Sequence, residues 1–120
     1  MSMNANYYVI AGYDLTEYKT DKFEDWRWTN EGEELFCYQS KGYIQLFDDP
    51  MSSNYLYLGY IFVAGDEYNF KTTKFDIIKA ERQSLNVDAK LRHLKDIGVL
   101  SEDLDEGALI YEFIAFEECT

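Results

Sequence analysis

Alternating apolar and polar positions, rich in β-branched and aromatic residues, predict several β-strands along the chain. The strands are predicted over residues 7–15, 35–39, 43–47, 55–64 and 108–117. Because 55–64 is apolar on both faces, we expect it near the centre of a sheet. The short segment 40–42 suits a hairpin turn, and Gly12 is the expected place of a bulge in the first strand.

A helical period replaces this alternation in the second half of the chain. One helix face is predicted from apolar residues at i, i+4, i+7 and i+10, namely Val87, Leu91, Leu94 and Ile97. Gly98 follows as a C-terminal signal, and Ser84 or Asn86 is the candidate cap. A first helical stretch precedes it, with the apolar positions Phe75, Ile78 and Leu85. One kinked helix and two short helices both fit this pattern.

A short helix is also predicted in the polar segment after the first strand. Capped at Thr20 or Asp21, it places Phe23 and Trp26 on one inward face at i, i+3. Trp28 is a third aromatic candidate for the core. The segment therefore contributes rings to the core although most of its residues are polar.

Turns and loops separate these elements. Residues 31–34 predict a charged turn, residues 48–54 a loop around Pro50, and residues 101–107 an acidic loop. The resulting architecture is an α+β fold with a mainly antiparallel sheet of about five strands and one or two helices packed on one face. A length of 120 residues suits one domain over 1–120.

The charges are unevenly distributed. The formal net charge is −12, from 23 acidic residues and 11 lysines and arginines. Residues 71–95 sum to +4, whereas 1–70 and 96–120 each sum to −8. Such a protein is repelled by nucleic acid and anionic membranes and attracted to basic protein surfaces. No direct nucleic-acid or membrane binding is therefore expected.

Candidate chemical groups are few. Cys37 and Cys119 fit no metal-ligand spacing and are interpreted as free thiols. His93 is the only histidine, and adjacent carboxylates on a strand point to opposite faces, so no zinc site, triad or acid/base pair is predicted. Residues 101–107 also lack the ligand spacing of a calcium loop. We expect neither enzyme activity nor a metal or cofactor.

The N-terminal residues and the hydropathy pattern bear on location. No apolar run reaches the length of a membrane span, and the first residues lack both the basic and the apolar region of a signal peptide. A cytoplasmic location is expected.

Tyrosine is abundant, with eleven residues. Alternation places Tyr55 and Tyr57 on one strand face, and Tyr7, Tyr13 and Tyr43 are candidates to join them in an aromatic sheet surface. Two interpretations stay open: an aromatic core with hydroxyls at its rim, and a protein-binding face.

Four segments carry a resemblance to a known group of proteins. Residues 12–16 (GYDLT), 47–51 (FDDPM), 55–60 (YLYLGY) and 113–118 (FIAFEE) resemble small acidic early-region proteins of phages that infect Gram-positive bacteria. The resemblance implies a setting in which small acidic proteins inhibit host enzymes, including CRISPR nucleases and restriction systems. An anti-CRISPR or other anti-defence protein is the implied type. The basic block 71–95 departs from the most acidic DNA mimics and argues against pure DNA mimicry.

These observations favour a non-enzymatic, phage-type inhibitor. It is expected to bind a host protein, a nucleic-acid enzyme such as a CRISPR effector, through an acidic and aromatic surface that competes with nucleic acid. The candidate contact residues are Glu31, Glu33, Glu34, Asp48, Asp49, Asp66, Glu67, Tyr68, Asp103 and Asp105. The hypothesis requires that acids distant in sequence gather beside exposed rings.

Two alternatives stay open. In a structural or self-assembling protein, the basic block 71–95 of one subunit contacts an acidic block of another and forms a homodimer. An enzyme acting on a small cationic substrate would need paired carboxylates with raised pKa values inside a pocket.

Overall fold

The computed structural model describes residues 5–49, 55–66 and 77–119. In these ranges the strands are β1 (Ala5–Asp14), β2 (Ile44–Asp48), β3 (Leu56–Asp66) and β4 (Glu112–Cys119). The α-helices are α1 (Phe23–Arg27), α2 (Asn30–Cys37), α3 (Ile77–Arg82) and α4 (Ser84–Asp96). The predicted α+β class is confirmed, but the described part has four strands in place of about five and four short helices in place of one or two.

The strands form one antiparallel sheet in the order β2-β3-β1-β4. The central position predicted for 55–64 is confirmed, because β3 pairs with both β1 and β2. The bulge lies between Val9 and Ile10, and the prediction of a bulge at Gly12 is wrong. Gly12 pairs regularly and lets two strands approach closely, since a Cβ there would lie 1.9 Å from the Leu58 carbonyl oxygen.

One face of the sheet carries the main core. Alternate residues of β3 point into a cluster to which every helix contributes: Phe23, Trp26, Leu35, Ala80, Val87, Leu91 and Leu94. The inward positions predicted for the short first helix and for most of the α4 face are confirmed. The predicted core positions of two residues are wrong, because the side chains of Trp28 and Ile97 are exposed, at 70% and 37%.

The opposite face of the sheet carries a smaller aromatic cluster. Ile10 and Ile61 lie at its centre and are fully buried. The rings of Phe47 on β2 and Phe116 on β4 approach to 5.0 Å although two strands separate them, and Tyr8 contacts both rings. The sheet is therefore twisted enough for rings from its two edge strands to meet above the central strands.

Residues 31–39 contradict two sequence predictions, the charged turn over 31–34 and the strand over 35–39. Most of this segment is helix α2, capped by Thr29, whose hydroxyl oxygen accepts a hydrogen bond from the Gly32 N–H at 3.2 Å. Gly32 and Leu35 are buried on one helix face. A Cβ on Gly32 would lie 2.3 Å from the Trp26 carbonyl oxygen, so only glycine allows this packing against α1.

The described part of the second half contains two helices, α3 and α4, rather than one kinked helix. The N-cap residue of α4 is Gln83, so the caps predicted at Ser84 and Asn86 are wrong. Gly98 has a φ of +84° just beyond the helix, as its C-terminal signal predicts. Of the apolar positions predicted for the first stretch, Ile78 lies in α3 as expected, whereas Leu85 belongs to α4, and both side chains are exposed; Phe75 lies outside the described residues.

The remaining segments differ in detail from the predictions. β4 begins at Glu112 rather than at residue 108, because residues 106–108 form a 3₁₀ turn. The loop predicted over 48–54 lies largely outside the described residues. Cys37 is a free, exposed thiol. Among the helices of the described ranges, none has both the length and the apolar character needed to cross a membrane.

Candidate functional site

A cleft of about 460 Å³ opens between α2, α4 and the turn that leads into β2. Glu31, Glu34 and Tyr38 line its α2 wall at i, i+3 and i+7, which is one face of the helix. Tyr43 lines the side next to β2. We call this the α2–β2 cleft, and it brings two of the predicted contact acids together with two tyrosines.

The tyrosines of the cleft stack on each other. The ring centroids of Tyr38 and Tyr43 are 4.6 Å apart with an interplanar angle of 10°. The turn between them brings the rings together, and the Tyr38 N–H donates to the buried Gln45 Oε1 at 3.4 Å. Both rings stay about half exposed, at 49% and 44%. Large aromatic rings held in a fixed, exposed position are characteristic of protein-binding sites.

The α4 wall of the cleft carries the basic residues Lys90 and His93. His93 Nε2 contacts Glu31 Oε1 across the cleft, and both side chains are half exposed. Glu34 and Lys90 form no ion pair within the described ranges. The cleft therefore presents charges of both signs, and Glu34 is its carboxylate without an ion pair to any described residue.

Asp48 does not belong to the exposed acidic surface. Its side chain is buried and forms an ion pair with Arg27 of α1. Burial raises the pKa of Asp48, and the neighbouring Arg27 opposes that change. The guanidinium of Arg27 also lies 4.5 Å from the Phe36 ring centroid, so the pair ties α1 and α2 to the end of β2.

The other predicted contact residues do not line the α2–β2 cleft, so the described residues do not show the expected gathering of acids distant in sequence beside exposed rings: Glu31 and Glu34 are neighbours on one helix. Glu33 is exposed on α2 outside the cleft, and Asp49 is half-buried after β2. Asp103 and Asp105 are exposed in the loop after α4, where Asp105 Oδ1 accepts a hydrogen bond from the Gly107 N–H at 3.0 Å. The side chain of Asp66, and Glu67 and Tyr68 altogether, lie outside the described part of the chain.

The predicted aromatic sheet surface is confirmed for one pair of tyrosines. Tyr55 and Tyr57 stack with centroids 4.8 Å apart, at the rim of the smaller cluster. Tyr13 instead points into the main core, where its hydroxyl donates to Asp88. The prediction that these residues and Tyr43 share one face is wrong, because Tyr43 belongs to the cleft.

A buried hydrogen bond closes the rim of the smaller cluster. The Tyr55 hydroxyl donates to Glu118 Oε1 at 2.9 Å. Burial, together with this hydrogen bond, raises the pKa of Tyr55. Burial also raises the pKa of Glu118. The hydrogen bond from Tyr55 lowers this pKa, whereas the negative charges of Asp48 and Asp49 raise it further. The hydroxyl of Tyr55 therefore has a structural partner.

Tyr38 lines the cleft but is not among the residues that the sequence pattern singles out. Glu31, Glu34 and Tyr38 share a face only in a helix, and the segment was assigned to a turn and a strand. The signal that identifies the helix is Thr29, a favoured N-cap residue, with Glu31, Glu33 and Glu34 following within the next five positions.

The chemistry of the cleft suits recognition of protein side chains. Its aromatic faces and its free carboxylate can bind the cationic and apolar groups of a partner. No group of metal-ligating side chains occurs in the ranges that the structure describes. Comparisons with protein-family models, with curated proteins and with solved structures found no match. The geometry of the described residues therefore carries the functional argument.

Proposed function

We propose that this protein is a non-catalytic inhibitor that binds the basic surface of a host nucleic-acid enzyme and excludes nucleic acid from it. The α2–β2 cleft is its docking site. The observation that carries the proposal is the stack of Tyr38 and Tyr43, two half-exposed rings beside the carboxylates of Glu31 and Glu34.

The whole-molecule charge supports the choice of partner. A net charge of −12 accelerates the encounter with a basic surface and repels nucleic acid. Enzymes that hold DNA or RNA carry such basic surfaces, because they neutralise phosphates with lysine and arginine. A protein seated on that surface blocks the nucleic acid by occupying the same charges.

The cleft itself supplies specificity rather than attraction. Because Lys90 and His93 face Glu31 and Glu34, its local charge is mixed. A partner must therefore place a base against Glu34 and an apolar or aromatic side chain against the tyrosine stack. Fixed rings of this kind act as hot spots that each contribute about 2 kcal/mol or more to binding.

The test measures displacement of labelled DNA from a purified RNA-guided DNA nuclease of a Gram-positive bacterium. The wild-type protein is expected to displace the DNA. Tyr38→Ala is expected to raise the concentration needed at least tenfold, since a lost hot spot costs about 2 kcal/mol. Glu34→Lys is expected to act in the same direction.

Two matched variants serve as controls for this test. Trp28→Ala removes an exposed ring that does not line the cleft, and Glu102→Lys reverses an exposed acid in the loop after α4. Both should displace DNA as well as the wild type. Failure of the wild-type protein to displace DNA, or full activity of Tyr38→Ala, would overturn the proposal.

Self-assembly is a second candidate, favoured by an apolar and basic patch where α3 meets α4. Ile78 and Leu85 are 62% and 75% exposed there, beside the exposed Arg82. In this case the patch contacts an acidic block of a second copy. Sedimentation velocity at low and high salt distinguishes the two: a dimer that high salt or Leu85→Glu dissociates supports self-assembly, and a monomer at low salt excludes it.

A further inference from the structure

The two edges of the sheet differ in accessibility. β2 is short, and four of its five residues are buried against the rest of the fold. β4 is longer, and Glu112, Phe113, Ala115 and Glu117 are exposed along it. β4 is therefore the open edge of the sheet.

Among the residues that the structure describes, the backbone of β4 is paired on one side only. It pairs with β1 from Glu112 to Cys119, and no residue of the described ranges forms a backbone hydrogen bond to its outer side. An edge strand of this length presents a row of unpaired N–H and C=O groups, which is a template for another strand. Phe113, 49% exposed, adds an apolar contact at its start.

The charge of β4 restricts what can pair with it. The strand contains Glu112, Glu117 and Glu118 and no basic residue. A second copy pairing antiparallel about Ala115 would place Glu112 opposite Glu118, and like charges directly opposite each other destabilise a strand pair. A strand with lysine or arginine at those positions would instead gain cross-strand ion pairs.

We propose that the outer edge of β4 binds an extended, basic segment of a partner protein by β-strand addition. Backbone hydrogen bonds supply the affinity of this mode, and alternate side chains supply the specificity. Basic side chains of the segment face Glu112 and Glu118, and small apolar ones face Phe113 and Ala115. Because β4 and β2 are the opposite edges of the sheet, this site goes beyond the proposed function of the α2–β2 cleft.

The test uses an acetylated peptide of alternating Lys and Val, matched in length to β4, and residue-resolved amide exchange by NMR. We expect slower exchange for amides of β4 and no change for residues 31–45 of the cleft. The same peptide N-methylated at alternate residues should not bind, because it cannot complete the backbone ladder. A Glu and Val peptide should not bind either.

Two double charge-reversal variants distinguish binding at β4 from attraction of the basic peptide by the overall negative charge of the protein. Glu112→Lys with Glu118→Lys is expected to weaken peptide binding about tenfold, because two cross-strand attractions on the same face of β4 become repulsions. Glu102→Lys with Asp103→Lys changes the net charge equally in the loop after α4 and should leave binding nearly unchanged. Circular dichroism confirms that both variants fold.

The inference would be overturned by equal binding of the N-methylated peptide, by protection that maps to the cleft instead of β4, or by equal weakening by both double variants. Protection of β4 without peptide at high protein concentration would assign the edge to a second copy and would also overturn it. Since the peptide test does not involve the nuclease, its result does not depend on the proposed function.

Discussion

The tyrosine hydroxyls show how single residues join the core to the surface. Tyr13 donates to Asp88, Tyr55 to Glu118, and Tyr111 to the Ala80 carbonyl oxygen at 2.8 Å. In each case the ring packs in or against a core cluster while the hydroxyl reaches a polar partner at its edge. The interpretation of an aromatic core with hydroxyls at the rim therefore applies to these residues. Tyr38 and Tyr43 differ from them, because their stacked rings remain exposed.

Glu118 provides a residue-scale prediction for the dependence of stability on pH. Burial raises its pKa, so the folded state holds the Glu118 proton more tightly than the unfolded chain. The ionised carboxylate therefore disfavours folding at neutral pH, and this effect fades as the pH falls through the raised pKa. Glu118→Gln keeps an oxygen that can accept from Tyr55 and removes the charge. It is expected to raise Tm by a few degrees near neutral pH, with the gain shrinking toward about pH 4.

The control for Glu118→Gln is Glu112→Gln, which removes a more exposed carboxylate from the same strand. Both variants lower the net negative charge equally, so the difference between their Tm values isolates the effect of burial. Thermal unfolding followed by circular dichroism across this pH range gives both values. A lower Tm for Glu118→Gln than for Glu112→Gln near neutral pH would contradict the account.

At the scale of elements, the sequence predicted best where a pattern was long and periodic. β1, β3 and α4 each repeat their apolar spacing over several turns or pleats, and their inward faces are confirmed. The sequence pattern does not predict α2, because this helix is short, contains Gly32, and overlaps an apolar run from Leu35 to Tyr38 that is typical of a strand. Its helical state depends on the Thr29 cap and on contact with α1, and a local pattern contains no information on that contact.

Gly32 gives the element-scale prediction. Alanine is the better helix former by about 1 kcal/mol, so propensity alone predicts that Gly32→Ala stabilises α2. The structure predicts the opposite sign, because the new Cβ would lie 2.3 Å from the Trp26 carbonyl oxygen. We expect a loss of about 2 kcal/mol in the free energy of unfolding, as for other overpacked sites.

Urea unfolding measures the effect of Gly32→Ala, with Glu33→Ala as its control on an exposed position of the same helix. The control is expected to stay within about 0.5 kcal/mol of the wild type. If Gly32→Ala proved as stable as the wild type, the close contact between α1 and α2 would be wrong.

At the scale of the whole molecule, several basic residues of the block 71–95 form contacts within the protein. Arg92 pairs with Glu106, Lys95 donates to the Leu104 carbonyl oxygen at 2.7 Å, and His93 contacts Glu31. These contacts fasten α4 to α2 and to the following acidic loop. The net charge of −12 nevertheless remains, so the long-range field attracts basic partners while the block serves local structure.

The candidate site was only partly predictable from the sequence, because clustering depends on topology. Glu31 and Glu34 lie beside exposed rings in the structure, but the sequence pattern predicts a turn at these residues instead of the helix that presents them. Asp48 was assigned to the surface from its loop-like neighbours, yet β2 carries it into the interior against Arg27. The sequence pattern alone does not distinguish an aspartate at the end of a strand that a helix covers from an aspartate in a loop exposed to solvent.

The most direct measurement is the dissociation constant for the RNA-guided nuclease without nucleic acid, at about 0.05 M and about 0.5 M salt. The account predicts tight binding at low salt and at least about a tenfold weakening at high salt, because steering and ion pairing between oppositely charged surfaces are screened. It also predicts that Tyr38→Ala weakens binding at both salt concentrations, whereas Trp28→Ala does not. Affinity that is independent of salt, or unaffected by Tyr38→Ala, would contradict the claim that an acidic protein docks through the α2–β2 cleft.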